Sequence, residues 1–269
     1  MKRDKLSIPV DRLSIISALI ILNYALMPFI ISPQIPINFS VFGFLVDIHV
    51  EYADLMVLSA ALFAAIGSYW LLYDHPMMKK KQIYIHLILP TLTAGVMSIP
   101  LKVITIGLAW WIVFALGCVL IIFTLIAEYY SIYTDTSLSE LSRIIIIPLA
   151  VSLFLLLSIS TRSSGFRLYI QILLLGFSFA IIYTRLIALT TSEEKKSKTL
   201  VSTLLFIQAL TACHYLPLTS VSFGLVMSGF ASLLISIPLV ADNKTALLPT
   251  LRNAVLYALP FFIGAIFFL

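Results

Sequence analysis

Charge is what this sequence has least of. Only 11% of its 269 residues are Asp, Glu, Lys or Arg, against about a quarter in a typical water-soluble domain. With 61% hydrophobic residues and a mean hydropathy of +1.09, the chain has too little polar surface to wrap its apolar side chains in water. A soluble globular fold is excluded, and the excess apolar surface must face lipid. Cysteine is almost missing as well. Cys118 and Cys213 both lie inside apolar runs, without CxxC or Cys/His spacing, so neither a disulfide framework nor a zinc site is indicated. Also missing are HExxH, a Walker-type Gly-Lys loop, GxSxG, helical DxxxD pairs and GxxxG. None of these patterns calls for a cofactor.

The formal net charge is +5, a sign that would suit nucleic acid. The basic residues, however, stand in short segments between apolar runs, not on a basic face interleaved with aromatics, so no nucleic-acid partner is expected. What the sequence does have is apolar length. Nine runs, Leu13–Ile31, Asp54–Tyr73, Ile83–Pro100, Val103–Ala127, Ile144–Ile159, Leu168–Leu189, Leu200–Leu216, Val221–Val240 and Leu251–Leu269, approach the roughly 20 residues a spanning helix needs. The fifth is short but can extend from Leu141 to Ser160. Open strands cannot satisfy their backbone in lipid, and the runs do not alternate as barrel strands do. The expected fold is therefore all-α, a polytopic transmembrane bundle of about nine helices. No Gly/Ser-rich or Pro-rich linker interrupts it, so residues 1–269 read as a single integral membrane domain. Its basic N-terminus precedes a run too long for a signal h-region and without a small-residue cleavage site, which reads as a retained first helix.

With the N-terminus inside and the sides alternating, 14 of the 17 Lys and Arg residues fall on the inner side. Arg185 is counted among them as a side chain able to snorkel to that face. Only Lys102, Arg162 and Arg167 fall outside. That asymmetry predicts a multi-pass protein of the cell membrane with a cytoplasmic N-terminus and an outside C-terminus. Its partners are the lipid bilayer and, on the same apolar surfaces, a membrane protein. The longest extramembrane stretch, Ser32–Ala53, carries Pro33 and Pro36. It then alternates through Val46-Asp47-Ile48-His49-Val50-Glu51, a period of two that suits a short strand, a hairpin or an interfacial segment. Ser137-Leu138-Ser139-Glu140 matches a capping box opening the fifth helix.

Ionisable residues deep in a span are expensive and so point to function. On these boundaries none lies near a midplane. The central polar residues are Asn23 and Gln208, groups that usually hydrogen-bond between helices. Ionisable groups gather instead at the interfaces. Toward the inner side, Asp74 and His75 end the second span, His86 enters the third and Glu128 closes the fourth, with Lys79, Lys80 and Lys81 between them in sequence. A His with a carboxylate partner can act as a base, and three lysines can attract an anionic headgroup. The plainer alternative is a set of interface anchors around a helix-ending Asp-His-Pro turn. Toward the outer side, His49 and Glu51 would share a face of an extended segment, and His214 ends the seventh span. These three are weak candidate metal ligands beside Asp47 and Asp54. Trp70, Trp110, Trp111 and the tyrosines Tyr69, Tyr73, Tyr129, Tyr130 and Tyr133 suggest aromatic belts.

Three stretches stand out together: Gly67-Ser68-Tyr69-Trp70-Leu71-Leu72-Tyr73-Asp74-His75-Pro76, then His86-Leu87-Ile88-Leu89-Pro90-Thr91-Leu92-Thr93, then Ala127-Glu128-Tyr129. Over about residues 60–130 this arrangement resembles a family of uncharacterised bacterial polytopic membrane proteins, a domain of unknown function. The resemblance implies no activity, only that Asp74, His75, His86 and Glu128 be treated as one group. Three functions remain open. The first is a non-catalytic scaffold or accessory subunit binding lipid or a membrane partner. The second is an enzyme acting on a lipid or isoprenoid headgroup at the inner face. The third is a transporter of a neutral or lipidic solute, with Asn23, Gln171 or Gln208 lining a cavity and a helix broken at Pro90, Pro148 or Pro260.

Overall fold

The computed structural model describes residues 8–30, 35–41, 44–78, 83–133, 137–189, 195–241 and 247–268. Among them are nine helices: α1 (Val10–Leu26), α2 (Tyr52–Tyr73), α3 (Ile83–Val103), α4 (Leu108–Tyr130), α5 (Ser137–Ser163), α6 (Leu168–Ile187), α7 (Lys195–His214), α8 (Ser220–Ala241) and α9 (Leu247–Phe267). The multi-pass helical bundle expected from composition is what the chain forms. Seven helices are long and apolar enough to cross a membrane. The other two are α7, whose first turn carries Lys195, Lys196 and Lys198, and α9, whose apolar stretch is the shorter Leu251–Phe267. The period-two stretch before α2 forms an antiparallel hairpin of β1 (Ile35–Val41) and β2 (Phe44–Val50), in register from Ile35 opposite Val50 to Val41 opposite Phe44.

Some boundaries move. Proline at position 100 does not end the third helix. The N–H of Ile104 still reaches the Pro100 carbonyl at 2.9 Å, so α3 runs on to Val103 and takes Lys102 into its last turn. The fourth helix starts only after Gly107, whose backbone is fully extended. Pro90, Pro148 and Pro260 all lie inside continuous helices, so none is a break point. The irregularity falls elsewhere, in a π-helical turn at Ile172–Gly176 within α6. Two polar residues also depart from expectation. Arg185 does not snorkel outward but is 2% exposed, and Gln208 lies on an exposed face of α7.

The helices fall into two compact units, Met1–Ile132 and Tyr133–Leu269. In the first, α2 packs on α1 and α3, and α4 packs on α3 and α1. Close approach of α1 and α2 depends on Gly67, where a Cβ would sit 2.5 Å from Cγ2 of Ile16. Several of its interior polar groups are tied down between helices, as expected where no water competes. Asn23 donates to Ser59 Oγ at 2.5 Å, Tyr24 to the Ala94 carbonyl at 3.1 Å, and Thr93 meets Thr124 at 3.3 Å.

In the second unit, α8 packs against α5 and α9, and its small residues set the distance. Gly224 faces Ile159, Gly229 faces the Phe262 ring, and Ser222 Oγ donates to the Ala265 carbonyl at 3.1 Å. Phe154, Phe179 and Phe206 fill the core, with Phe179 stacked on Phe206 at 4.5 Å between centroids.

Candidate functional site

The end of α2 is fixed by its own sequence. Pro76 offers no N–H to the helical ladder and disfavours helical backbone at His75, and His75 N–H closes the last turn on the Leu72 carbonyl at 3.1 Å. The chain then turns back so that the Met77 N–H donates to His75 Nδ1 at 3.3 Å. An Nδ1 that accepts a hydrogen bond puts the proton of the neutral imidazole on Nε2. The ring packs edge-on against Tyr129, 4.6 Å between centroids.

Asp74 does not turn toward either histidine. Its Oδ2 accepts from Arg12 of α1 at 2.5 Å. The same guanidinium donates to the Trp70 carbonyl at 2.9 Å and lies 5.3 Å from the centre of the Trp70 ring. Arg12, a basic residue of the first turn of α1, is thus half of an ion pair.

The second pair comes from consecutive antiparallel helices. Counting from the α3–α4 connection, His86 lies 18 residues back and Glu128 21 residues forward. At about 1.5 Å per residue these are nearly equal heights. The two side chains meet, with His86 Nδ1 2.9 Å from Glu128 Oε2. Glu128 is 1% exposed and His86 15%. Ser131 caps α4, its hydroxyl donating to the Glu128 carbonyl at 2.9 Å and lying 3.4 Å from His86 Nδ1. Serine and carboxylate therefore share one nitrogen of the imidazole. A nucleophile-activating relay needs them on opposite nitrogens, so this cluster orients His86 and does not activate Ser131.

Pro9, Arg12, Leu71, Asp74, His75, Pro76 and Tyr129 line an open cavity of about 320 Å³ at this end of the first unit. Burial pushes the His75 imidazole down from 6.5 to about 4, with the neighbouring His86 adding to the shift. The sign follows from proton binding: the unfolded chain takes up this proton first, near pH 6.5. The site's contribution to stability is therefore complete above that pH and is lost as pH falls toward 4. In a histidine-labelled NMR titration the His75 signals are expected to stay constant down to about pH 5. A midpoint near 6.5 would show that the ring is not held in this environment.

The outer-side candidates are separately engaged. Glu51 and Asp54 cap α2 reciprocally and both hold Lys102, at 2.9 and 2.7 Å. That clamp joins the start of α2 to the end of α3, and no sequence signal pointed to it. His214 Nδ1 lies 2.9 Å from Gln171 Oε1 in the second unit. Arg162 donates to the His214 and Leu216 carbonyls at 3.3 Å, satisfying the end of α7. The side chain of His49 and the residues Lys79, Lys80 and Lys81 lie outside the described residues. Trp110 stacks on Phe114 at 5.1 Å and donates to the Leu101 carbonyl at 3.2 Å, a packing role.

Residues 31–268 match a family described as "Protein of unknown function (DUF5656)". The chain belongs to that family. The match extends well beyond residues 60–130, where the sequence resemblance was clearest, and takes in all of the second unit up to Phe268. No curated protein and no solved structure matches the chain.

Proposed function

We propose that this is a non-catalytic accessory protein of the cell membrane that binds a lipid headgroup at the cytoplasmic end of its first unit. The carrying observation is the open cavity at the α1, α2 and α4 ends, which combines a guanidinium, a carboxylate, a neutral imidazole and a phenol. Tyr69, Trp70 and Tyr73 on α2 are exposed beside it, the side chains favoured at headgroup depth. Binding is favoured over catalysis because Asp74 is engaged by Arg12 and Ser131 is on the wrong side of His86. The buried carboxylate on His86 supports a second reading, a headgroup-directed enzyme with His86 as base and Glu128 as its positioning partner.

The test is lipid retention by the full-length chain purified in mild detergent and examined by native mass spectrometry. The wild type is expected to keep bound phospholipid, and Arg12→Gln to lose most of it, with Arg12→Lys intermediate. Equal retention by all three, with unchanged elution and melting, would overturn the reading.

A further inference from the structure

The cavity's charges select among headgroups. Arg12 and Asp74 form an ion pair at its wall, so among the described residues the lining carries both signs and these two formal charges cancel. A headgroup with net negative charge would gain Arg12 but set its phosphate against the Asp74 carboxylate, a like-charge contact that disfavours it. A headgroup carrying one charge of each sign meets the same contact at its phosphate but offsets it by placing its cation on that carboxylate. Its phosphate can take donors of the Arg12 fork, of which the Asp74 and Trp70 bonds use two of five. Its cation can take the exposed Asp74 carboxylate, whose side chain is 59% accessible.

The cation's form can also be read. Binding a quaternary ammonium uses a cage of aromatic faces, and among the described residues Tyr129 is the sole aromatic carbocycle in the lining, turned edge-on to His75. A carboxylate instead suits a primary ammonium, which has three N–H donors.

We propose that this cavity binds the phosphoethanolamine headgroup of a membrane phospholipid, with its phosphate on Arg12 and its primary ammonium on Asp74. This rests on the headgroup-binding reading above. A membrane lipid, and not a soluble phosphoethanolamine, is the occupant because the cavity lies at helix ends beside the exposed Tyr69, Trp70 and Tyr73.

The test is titration of the full-length chain in detergent micelles with phosphatidylethanolamine, phosphatidylglycerol or soluble glycerophosphoethanolamine, read by native mass spectrometry. The wild type is expected to bind phosphatidylethanolamine about tenfold more tightly than phosphatidylglycerol. Asp74→Asn should erase that preference, and Arg12→Gln should weaken both lipids. Phosphatidylglycerol bound equally or better by the wild type, in an Arg12-dependent way, overturns the zwitterion assignment and leaves the headgroup-binding reading intact. Lipid binding that ignores Arg12 overturns both. Soluble glycerophosphoethanolamine should not bind at concentrations that saturate the lipid, and tight binding of it would overturn the lipid as occupant. Asp74→Glu keeps the charge and is expected to retain the preference, which separates a lost carboxylate from a lost fold.

Discussion

Replacing Glu128 by alanine is expected to destabilise the first unit by about 3 kcal/mol, near the lower end of the cost of breaking a buried ionisable pair. The carboxylate is 1% exposed and holds His86 at 2.9 Å. His86 is 15% exposed and can recover some solvation once its partner is gone, which keeps the loss at the lower end. Glu128→Gln retains the shape and an acceptor, so about 1 kcal/mol is expected, the net worth of a typical hydrogen bond. Reversible unfolding in mixed micelles measures both. The pairwise term comes from the double mutant with His86→Ala. A coupling of about 1–3 kcal/mol is expected for side chains in direct contact, and simple additivity would show that the two do not support each other.

The second large effect is steric and lies in the other unit. In Gly224→Ala the new Cβ would stand 2.4 Å from Cγ1 of Ile159 and 3.2 Å from its backbone nitrogen. Rotating Ile159 does not clear the nitrogen, so α5 and α8 must separate. A cost of about 2–3 kcal/mol is expected, in the range for overpacking a tight interior. Gly67→Ala is the informative comparison. Its Cβ would meet Ile16 side-chain atoms at 2.5–3.3 Å and no backbone atom among the three nearest. Adding Ile16→Ala should therefore rescue Gly67→Ala more fully than Ile159→Ala rescues Gly224→Ala. Gly95→Ala, with its nearest neighbour 3.7 Å away on Ala61, should be close to neutral. Equal losses at positions 224 and 95 would contradict this packing.

These cases mark what the chain's chemistry makes legible. Long apolar runs state the helical bundle directly, because only helices satisfy their backbone in lipid. The approach of His86 to Glu128 was legible in part, since similar lengths of helix on either side of one short connection return to within about one turn of the same height. The alternation before Glu51 was compatible with a strand, a hairpin or an interfacial segment, and the chain forms the hairpin. The partner of Asp74 was not legible. Arg12 precedes it by 62 residues, and only the packing of α1 on α2 makes them neighbours. The same holds for Lys102, which a proline at position 100 appeared to cut off from the third helix. Burial of Arg185 and exposure of Gln208 depend on which helix faces which, and hydropathy averaged along a run carries no such direction.

On the proposed reading a lipid headgroup occupies the cavity between Arg12, Asp74, His75 and Tyr129. The most direct measurement is photo-crosslinking in native membranes with a phospholipid carrying its diazirine next to the headgroup, followed by mapping of the labelled residues. Labelling concentrated at residues 9–12, 71–76 and 129, and sharply reduced in Arg12→Gln, is the expected result. Labelling spread along the exposed apolar face of α4, at Leu116, Val119 and Phe123, with none at the cavity and no change in Arg12→Gln, would contradict it.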